Sequence, residues 1–499
     1  MIASSGDSDP RQGNFTAGSR LNRRHLLAIF ALTVPGVLAG RAAAQTGVLL
    51  GDVDEPDTVD PIFADALRPW TGDLDGMVER GMVRFAIPFG LTTYFMDGAE
   101  QKGLTYDVAV SFERFLKKRL GNAAARLTLV IIPTSRDRLL PMVTAGQADI
   151  AAGTLTITPQ RLAIVDFSEP FKADVREVLV TGPAAPVIKT KEDIVGMPIH
   201  VRRSSSFYEH LQELNARLEA EGKQTLTVVD ADEKLTTDDM LEMVSAGIFP
   251  ATVADDGIAD LFVKVFEDIT VHPELVLAAG QQIGWAFRKN SPKLQETINA
   301  FVGTARKGTN LGNILLAKYL KNTKWITNAL SPDEQEKFRS TVAIIKTYAS
   351  RYDFDWLLIS AQAYQESRMD QSKRSPVGAV GIMQVMPQTA KDPNVGIPEI
   401  HRAEPNIHAG VRYLRFLRDR YFNEAGISAL DQTLFSFAAY NAGPGNVRKA
   451  RRRAEKLGLD PNVWLDNVEI AADMVISREP VTYVRNIYKY YVAYKSTVG

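Results

Sequence analysis

The 499-residue sequence contains no cysteine. Structural disulfides, thiolate metal sites and the lipid-modified cysteine of a bacterial lipoprotein are thereby excluded. A dominant charge is missing too: Lys plus Arg number 58 against 59 for Asp plus Glu, so no global field favours nucleic acid or acidic lipid as a partner. Any substrate has to be recognised locally. No stretch is apolar over the roughly 20 residues that a membrane-spanning helix needs, and there is no internal repeat, heptad array or low-complexity tract. What is present is the composition of a soluble globular protein, in a chain too long for one ordinary core. Two or three domains are expected.

The N-terminus is patterned. Arg20, Arg23 and Arg24 precede an apolar run from Leu26 to Leu38 that Pro35 interrupts, and Ala42-Ala43-Ala44-Gln45 supplies small residues of the kind signal peptidase cleaves. This predicts a signal peptide over 1–44, with a weak twin-arginine hint in Arg23-Arg24. The expected location is the periplasm or cell envelope, with peripheral association to the envelope membrane. Residues 45–81 are rich in Asp, Pro and Gly without sustained periodicity and read as a linker or mobile arm.

Strand-like and helix-like segments then alternate. Strands are expected at Met82–Pro88, Leu127–Pro133, Asp149–Ala152, Glu177–Thr181 and Met197–Arg202, with helical spacing from Val108 to Leu120 and from Arg136 to Ala145. The pattern predicts an α/β domain over 82–309 with largely parallel sheets. Beyond Asn310 strand-like runs vanish. A helical linker is expected over 310–345, where Ser331-Pro332-Asp333-Glu334 reads as a helix start, followed by a mostly α domain over 346–499.

One acid in that last domain stands out. Asp353 or Asp355 can cap a helix whose apolar residues include Trp356, Ile359 and Ala363, and Glu366 falls on the same stripe. A carboxyl group set against apolar side chains loses hydration of its charged form, which raises its pKa and suits a general acid. Taken alone, Glu366 reads first as an ordinary exposed helix-end acid.

Its surroundings reverse that reading. Gln365-Glu366-Ser367 is followed by Gly378-Ala379-Val380-Gly381-Ile382-Met383-Gln384-Val385-Met386-Pro387, then Ala439-Tyr440-Asn441-Ala442-Gly443, then Glu479-Pro480-Val481-Thr482-Tyr483-Val484. Four ordered motifs at these separations are far more specific than a lone Glu-Ser pair. From about Lys346 to Tyr494 the chain resembles the soluble lytic transglycosylase family, which has a goose-type lysozyme-like fold. The resemblance implies that Glu366 protonates the glycosidic oxygen between N-acetylmuramic acid and N-acetylglucosamine in peptidoglycan glycan strands. The same carboxylate then takes the proton of the muramoyl C6 hydroxyl, which closes a 1,6-anhydro ring without consuming water. The second carboxylate of ordinary glycosidases is then unnecessary, although Asp370 or another acid could still approach in space. Ser367, Met383, Gln384, Tyr440, Asn441 and Tyr483 become substrate-binding or positioning candidates by the same resemblance. Read as residues alone, Met383 suits core packing as well as sugar contact, and both tyrosines suit an aromatic core. Neither a metal nor an organic cofactor is expected. The basic run Arg448, Lys449, Arg451, Arg452 and Arg453 reads first as a solvated helix face.

The α/β part carries Gly103-Leu104-Thr105-Tyr106-Asp107-Val108-Ala109, Ala145-Gly146-Gln147-Ala148-Asp149, Thr156-Ile157-Thr158-Pro159-Gln160-Arg161 and Val165-Asp166-Phe167-Ser168-Glu169-Pro170-Phe171. These resemble the periplasmic solute-binding proteins for polar amino acids and imply a two-lobed domain. Thr158 can cap a helix begun by Pro159, with Arg161 in its first turn, an arrangement suited to a carboxylate. The resemblance implies that Thr156 and Arg161 hold a ligand α-carboxylate, Asp255 its α-amino group, and Tyr94 a cleft wall. Structural bracing is the other reading of all four. Thr154 stands where these relatives often have glycine. An amino acid or cell-wall peptide is the expected ligand. Two other functions fit parts of the sequence: a lysozyme-type hydrolase, and a solute-binding sensor with an inert enzyme domain.

Overall fold

A computed structural model describes residues 66, 68–90, 92–97, 100–188, 190–266, 268–320 and 332–498. The leader over 1–44 and most of the 45–81 arm lie outside the described residues. The described residues form eleven strands: β1 (Met82–Pro88), β2 (Phe95–Asp97), β3 (Glu100–Lys102), β4 (Thr128–Thr134), β5 (Ile150–Thr156), β6 (Asp166–Phe167), β7 (Lys172–Thr181), β8 (Pro198–Arg202), β9 (Thr227–Ala231), β10 (Ala251–Asp255) and β11 (Thr270–Phe287). Nine form one sheet ordered β4-β1-β5-β11-β7-β10-β8-β9, with β6 paired to β11, while β2 and β3 make a separate hairpin.

The sheet divides into two parallel halves joined by antiparallel strands. β1 pairs in parallel with β4 and β5, and β8 pairs in parallel with β9 and β10. β11, 18 residues long, runs antiparallel to β7 along Thr270 to Ile283 and antiparallel to β5 from Ile283 to Phe287. One strand therefore serves both lobes, and its register shifts between His272 and Ile283 let it bend as it crosses. The expectation of largely parallel sheets holds inside each lobe and gives way at this crossing.

The first lobe closes over an aromatic core. Phe112, from α1 (Leu104–Leu120), meets Phe85 of β1, Trp285 of β11 and Phe301, the last from a helix over Pro292–Ala305. All four rings are buried because α1 turns its apolar stripe to the sheet. β1 also holds a fully buried Arg84. A buried guanidinium needs acceptors on every side. Asp149 supplies two at 2.8 and 3.2 Å, and the carbonyls of Ala66, Arg68 and Trp70 supply others at 3.0, 2.8 and 3.3 Å. Within the 45–81 segment, Arg68 and Trp70 are tied to this guanidinium and a helix runs over Leu74–Arg80.

The Asn310–Leu320 helix stays with the first lobe: the Tyr319 hydroxyl donates to Asp107 of α1 at 2.8 Å and accepts from Gly103 N at 3.0 Å. After it the structure is helical: α2 (Pro332–Arg351), α3 (Trp356–Ser367), α4 (Ala403–Tyr421), α5 (Ala429–Ala442), α6 (Pro444–Lys456), α7 (Glu469–Val475) and α8 (Arg478–Val498), with a short turn of helix at Pro387–Lys391. The second lobe and this helical domain share one apolar cluster, in which Leu241, Phe262 and Phe266 join Ile359, Tyr440 and Val484. The polar seam centres on Asp466, in left-handed backbone (φ 57°) just before α7. Its carboxylate accepts from Ser135 N and Oγ of the first lobe at 3.2 and 3.1 Å, and from Arg485 of α8 at 3.0 Å. Lys234 of the second lobe completes the set. Burial opposes ionisation here, but Arg485, Lys234 and Arg138 outweigh it and bring the Asp466 pKa down to about 2. Among the described residues no helix is long and apolar enough to cross a membrane.

Candidate active site

α3 begins at Asp355, whose carboxylate accepts from Leu357 N at 2.9 Å, and stops where Arg368 turns left-handed (φ 56°). Helices surround it, so nearly all its side chains are buried, including Glu366 at 4% exposure. Glu366 Oε1 accepts a hydrogen bond from the Tyr483 hydroxyl of α8 at 2.6 Å. That hydroxyl accepts in turn from Gln362 Nε2, one helical turn before Glu366, at 3.1 Å. Burial, then the neighbouring Glu366 charge, push the Tyr483 pKa well above the usual phenol value. It therefore remains a protonated donor.

The glycine-rich motif is folded against the end of α3. Ser367 Oγ donates to Ile382 O at 2.8 Å and accepts from Asp370 N at 3.1 Å. Gly381 has φ +75°, and a Cβ there would lie 2.5 Å from the Gln371 amide and 2.7 Å from Asn406 Nδ2. Both the left-handed backbone and this close approach favour glycine here. Gln384 is also left-handed (φ 46°), and its Nε2 donates to Gly381 O at 2.8 Å. Met383 is fully buried against Gly410, where an added Cβ would meet it at 2.6 Å. Its carbonyl accepts from the Tyr440 hydroxyl at 2.7 Å. Asn441 is buried beside Tyr440 at the end of α5.

The structure thus joins Glu366 directly to Tyr483, ties Ser367 and Gln384 into the loop, and links Tyr440 to that loop through Met383. Asp370 is turned outward and accepts from Ser372. Two contributors escaped the sequence reading. Gln362 carries no motif signal. Asn406 fastens the loop by accepting from Met383 N at 2.8 Å and donating to Val380 O and Ile400 O at 2.7 and 3.1 Å, and it lies between motifs in the first turn of α4.

The second site lies between the lobes. A cavity of about 40 Å³ is lined by Thr92, Arg136, Arg202, Asp238, Asp255 and Arg485, among others. The lobes are drawn together across it: Asp238 accepts from Thr92 N at 3.1 Å. Asp255 lines the cavity, with a buried Oδ1 that has no hydrogen-bond partner among the described residues. Burial, then Glu177, raise its pKa to about 7. Tyr94, Thr156 and Arg161 do not line this space. Tyr94 is fully buried beneath Arg478, 4.6 Å from its ring, and borders an adjoining hollow of about 180 Å³. Thr156 accepts from Ser206 Oγ at 3.0 Å, and Arg161 is engaged with Glu209 at 2.9 Å and with the carbonyls of Thr156 and Ser204. The Thr158 cap over Arg161 N is present.

Arg136, not singled out from sequence, is the first-lobe cation on the cavity. Its guanidinium donates to the carbonyls of Gly153 and Thr154 at 2.6 Å, and burial lowers its pKa to about 9. Thr154, the departure from glycine, sits at φ +53° and lines the cavity, a conformation unfavourable for a β-branched residue. Arg485 brings the helical domain into this site: it lines the cavity, covers the Phe89 ring at 4.0 Å, and lies two residues after Tyr483.

Comparison with known proteins agrees with this division. The family described as Bacterial extracellular solute-binding proteins, family 3 matches residues 86–322, and the Transglycosylase SLT domain matches residues 343–462. A membrane-bound lytic murein transglycosylase F from Desulfosudis oleivorans is 28% identical over 80% of this chain and 87% of its own length. One from Shewanella halifaxensis is 30% identical over 76% of this chain and 75% of its own. Among solved structures, an ancestral arginine-binding protein bound to arginine aligns with 48% of this chain and 98% of its own at 22% identity and a TM-score of 0.39. With both modules in order and relatedness running through most of its length, the chain belongs to the membrane-bound lytic murein transglycosylase F family and is a peptidoglycan lytic transglycosylase.

Proposed function

We propose that Glu366 performs both proton transfers of a non-hydrolytic cleavage. As an acid it protonates the oxygen linking N-acetylmuramic acid to N-acetylglucosamine. As the resulting carboxylate it accepts the C6 hydroxyl proton while that oxygen attacks C1, leaving a 1,6-anhydro end. The supporting observation is a secluded carboxyl group whose Oε1 is held at 2.6 Å by a phenol that stays protonated. Seclusion from water favours the protonated acid that the first transfer needs, and the Tyr483 donor steadies the carboxylate once that proton has left. Ser367, Gln384, Tyr440 and Asn441 shape the loop and helix end against which the sugar chain lies. Digestion of purified sacculi by the wild type should release anhydro-muropeptides, and Glu366→Gln should release almost none. Reducing muramic acid in their place would identify a lysozyme-type hydrolase instead.

We further propose that the front domain binds a zwitterion, an amino acid or cell-wall peptide, between Asp255 and Arg136. Occupancy then acts on the enzyme through Arg485 and α8. The leader pattern supports an exported enzyme of the cell envelope. Turnover measured while candidate amino acids and muropeptides are titrated should change with occupancy. Unaltered turnover despite measured binding would reject the regulatory part.

A further inference from the structure

Gln362 is fully buried in α3 among side chains such as Ile359 and Ala363. Its Nε2 donates to the Tyr483 hydroxyl, while its Oε1 is buried without a hydrogen-bond partner among the described residues. A buried amide that leaves its carbonyl stranded carries a cost that an aliphatic side chain of similar size avoids. Packing alone therefore does not account for a glutamine here. Its donor end does.

A phenol has one proton to give and lone pairs to receive. In the chain Gln362 Nε2 to Tyr483 OH to Glu366 Oε1, at 3.1 and 2.6 Å, the amide N–H occupies the oxygen, so the phenol proton is committed to the carboxylate. Donation into the phenol oxygen also polarises its O–H bond and strengthens the second link. The helix sets the spacing: residues four apart share a face, so Gln362 and Glu366 both reach the tyrosine that α8 brings across.

We propose that Gln362 is a positioning residue for the proton-transfer step: it orients and strengthens the Tyr483 donor, and through it fixes the plane and basicity of the Glu366 carboxyl group. This rests on the reading of Glu366 as the proton carrier. A donor aimed at the carboxylate favours its charged form, so removing either link raises the pKa of Glu366. The alkaline limb of the rate profile, where the acid loses its proton, then moves to higher pH. The maximal rate falls because the carboxylate formed is less well held.

The test uses the full chain on uncrosslinked glycan strands, comparing wild type, Gln362→Met, Tyr483→Phe, the double variant and Glu366→Gln. Gln362→Met should lower kcat about tenfold with KM nearly unchanged, and move the alkaline limb up by roughly half a pH unit. Tyr483→Phe should cost about a hundredfold and move the limb further in the same direction. The double variant should match Tyr483→Phe alone, since Gln362 acts only through the phenol. Effects that multiply in the double variant, or a Gln362→Met limb that stays put while melting temperature and KM change, overturn the inference. Should Gln362→Met fail to fold, Gln362→Leu takes its place, and an unmoved limb in Tyr483→Phe overturns the relay without either. Full activity in Glu366→Gln removes the underlying reading. An inactive Glu366→Gln with multiplying effects removes only the role of Gln362.

Discussion

The two sites of this chain are built in opposite ways. Around Glu366, helices pack on one another and one carboxyl group accepts from a phenol that a buried amide backs in turn. Between the lobes, charges of both signs, Arg136, Arg202, Asp238 and Asp255, converge from separate strands and helices on a cavity of about 40 Å³. The first arrangement fixes one carboxyl group in place. The second gathers opposing charges around one small space. Position matters most in one, and electrostatic balance in the other.

That contrast can be broken from either side. The largest effect is expected in the front lobe, where Phe112→Ala removes the ring shared by Phe85, Trp285 and Phe301 and should cost about 3–5 kcal/mol. Denaturant melting followed by tryptophan fluorescence would record it, with Trp285 in direct contact as the reporter. Next is Asn406→Ala, which leaves Met383 N without its acceptor and takes one of the donors from each of Val380 O and Ile400 O, which keep Val385 N and Gln371 Nε2. It should cost about 2–4 kcal/mol and lower turnover at least tenfold, while calorimetric binding of an amino acid to the front domain stays as in the wild type. Loss of both activities together would mean that the two sites are not separable.

The smallest effect sharpens the comparison through pH. Burial, then the Glu177 charge, hold Asp255 at about 7 in the folded protein, well above the ordinary carboxylate range at about 4. A raised acid pKa means the folded state binds more protons than the unfolded one between those values, so stability from this group falls as pH rises from about 4 to about 7 and is level above. A ligand ammonium favours the ionised carboxylate. Affinity for a zwitterion should therefore rise up to about tenfold between pH 6 and pH 8, and the Asp255→Asn protein should show no such rise by titration calorimetry.

Legibility in the sequence followed the same divide. Glu366, Ser367, Gln384, Tyr440 and Tyr483 lie in contiguous motifs whose backbone needs leave marks, such as Gly381 at φ +75°. Asn406 and Gln362 leave none, since each serves through one amide reaching atoms distant in the chain. In the front domain, Arg161 has the expected helix cap yet spends its guanidinium on Glu209 and two carbonyls, whereas Arg136 faces the cavity from an unmarked turn after β4. Local signals locate a helix end and say nothing of which cation the lobes enclose. Strand β11 leaves no signal of its own, because its middle is half exposed and bent, so neither steady alternation nor a continuous apolar run announces it. Arg84 shows the converse: a strand that reads as apolar carries a buried charge whose acceptors organise the stretch before it.

Asp466 gives the molecule an unusual pivot. A single side chain of the enzyme half is gripped by a serine from one lobe and a lysine from the other, so the lobes cannot swing apart without one of them letting go of it. Opening the front of the protein is thereby a transaction conducted at the back. Resistance of the lobes to separation is set partly in the helical domain, whose acid has to give up either its serine or its lysine before they part.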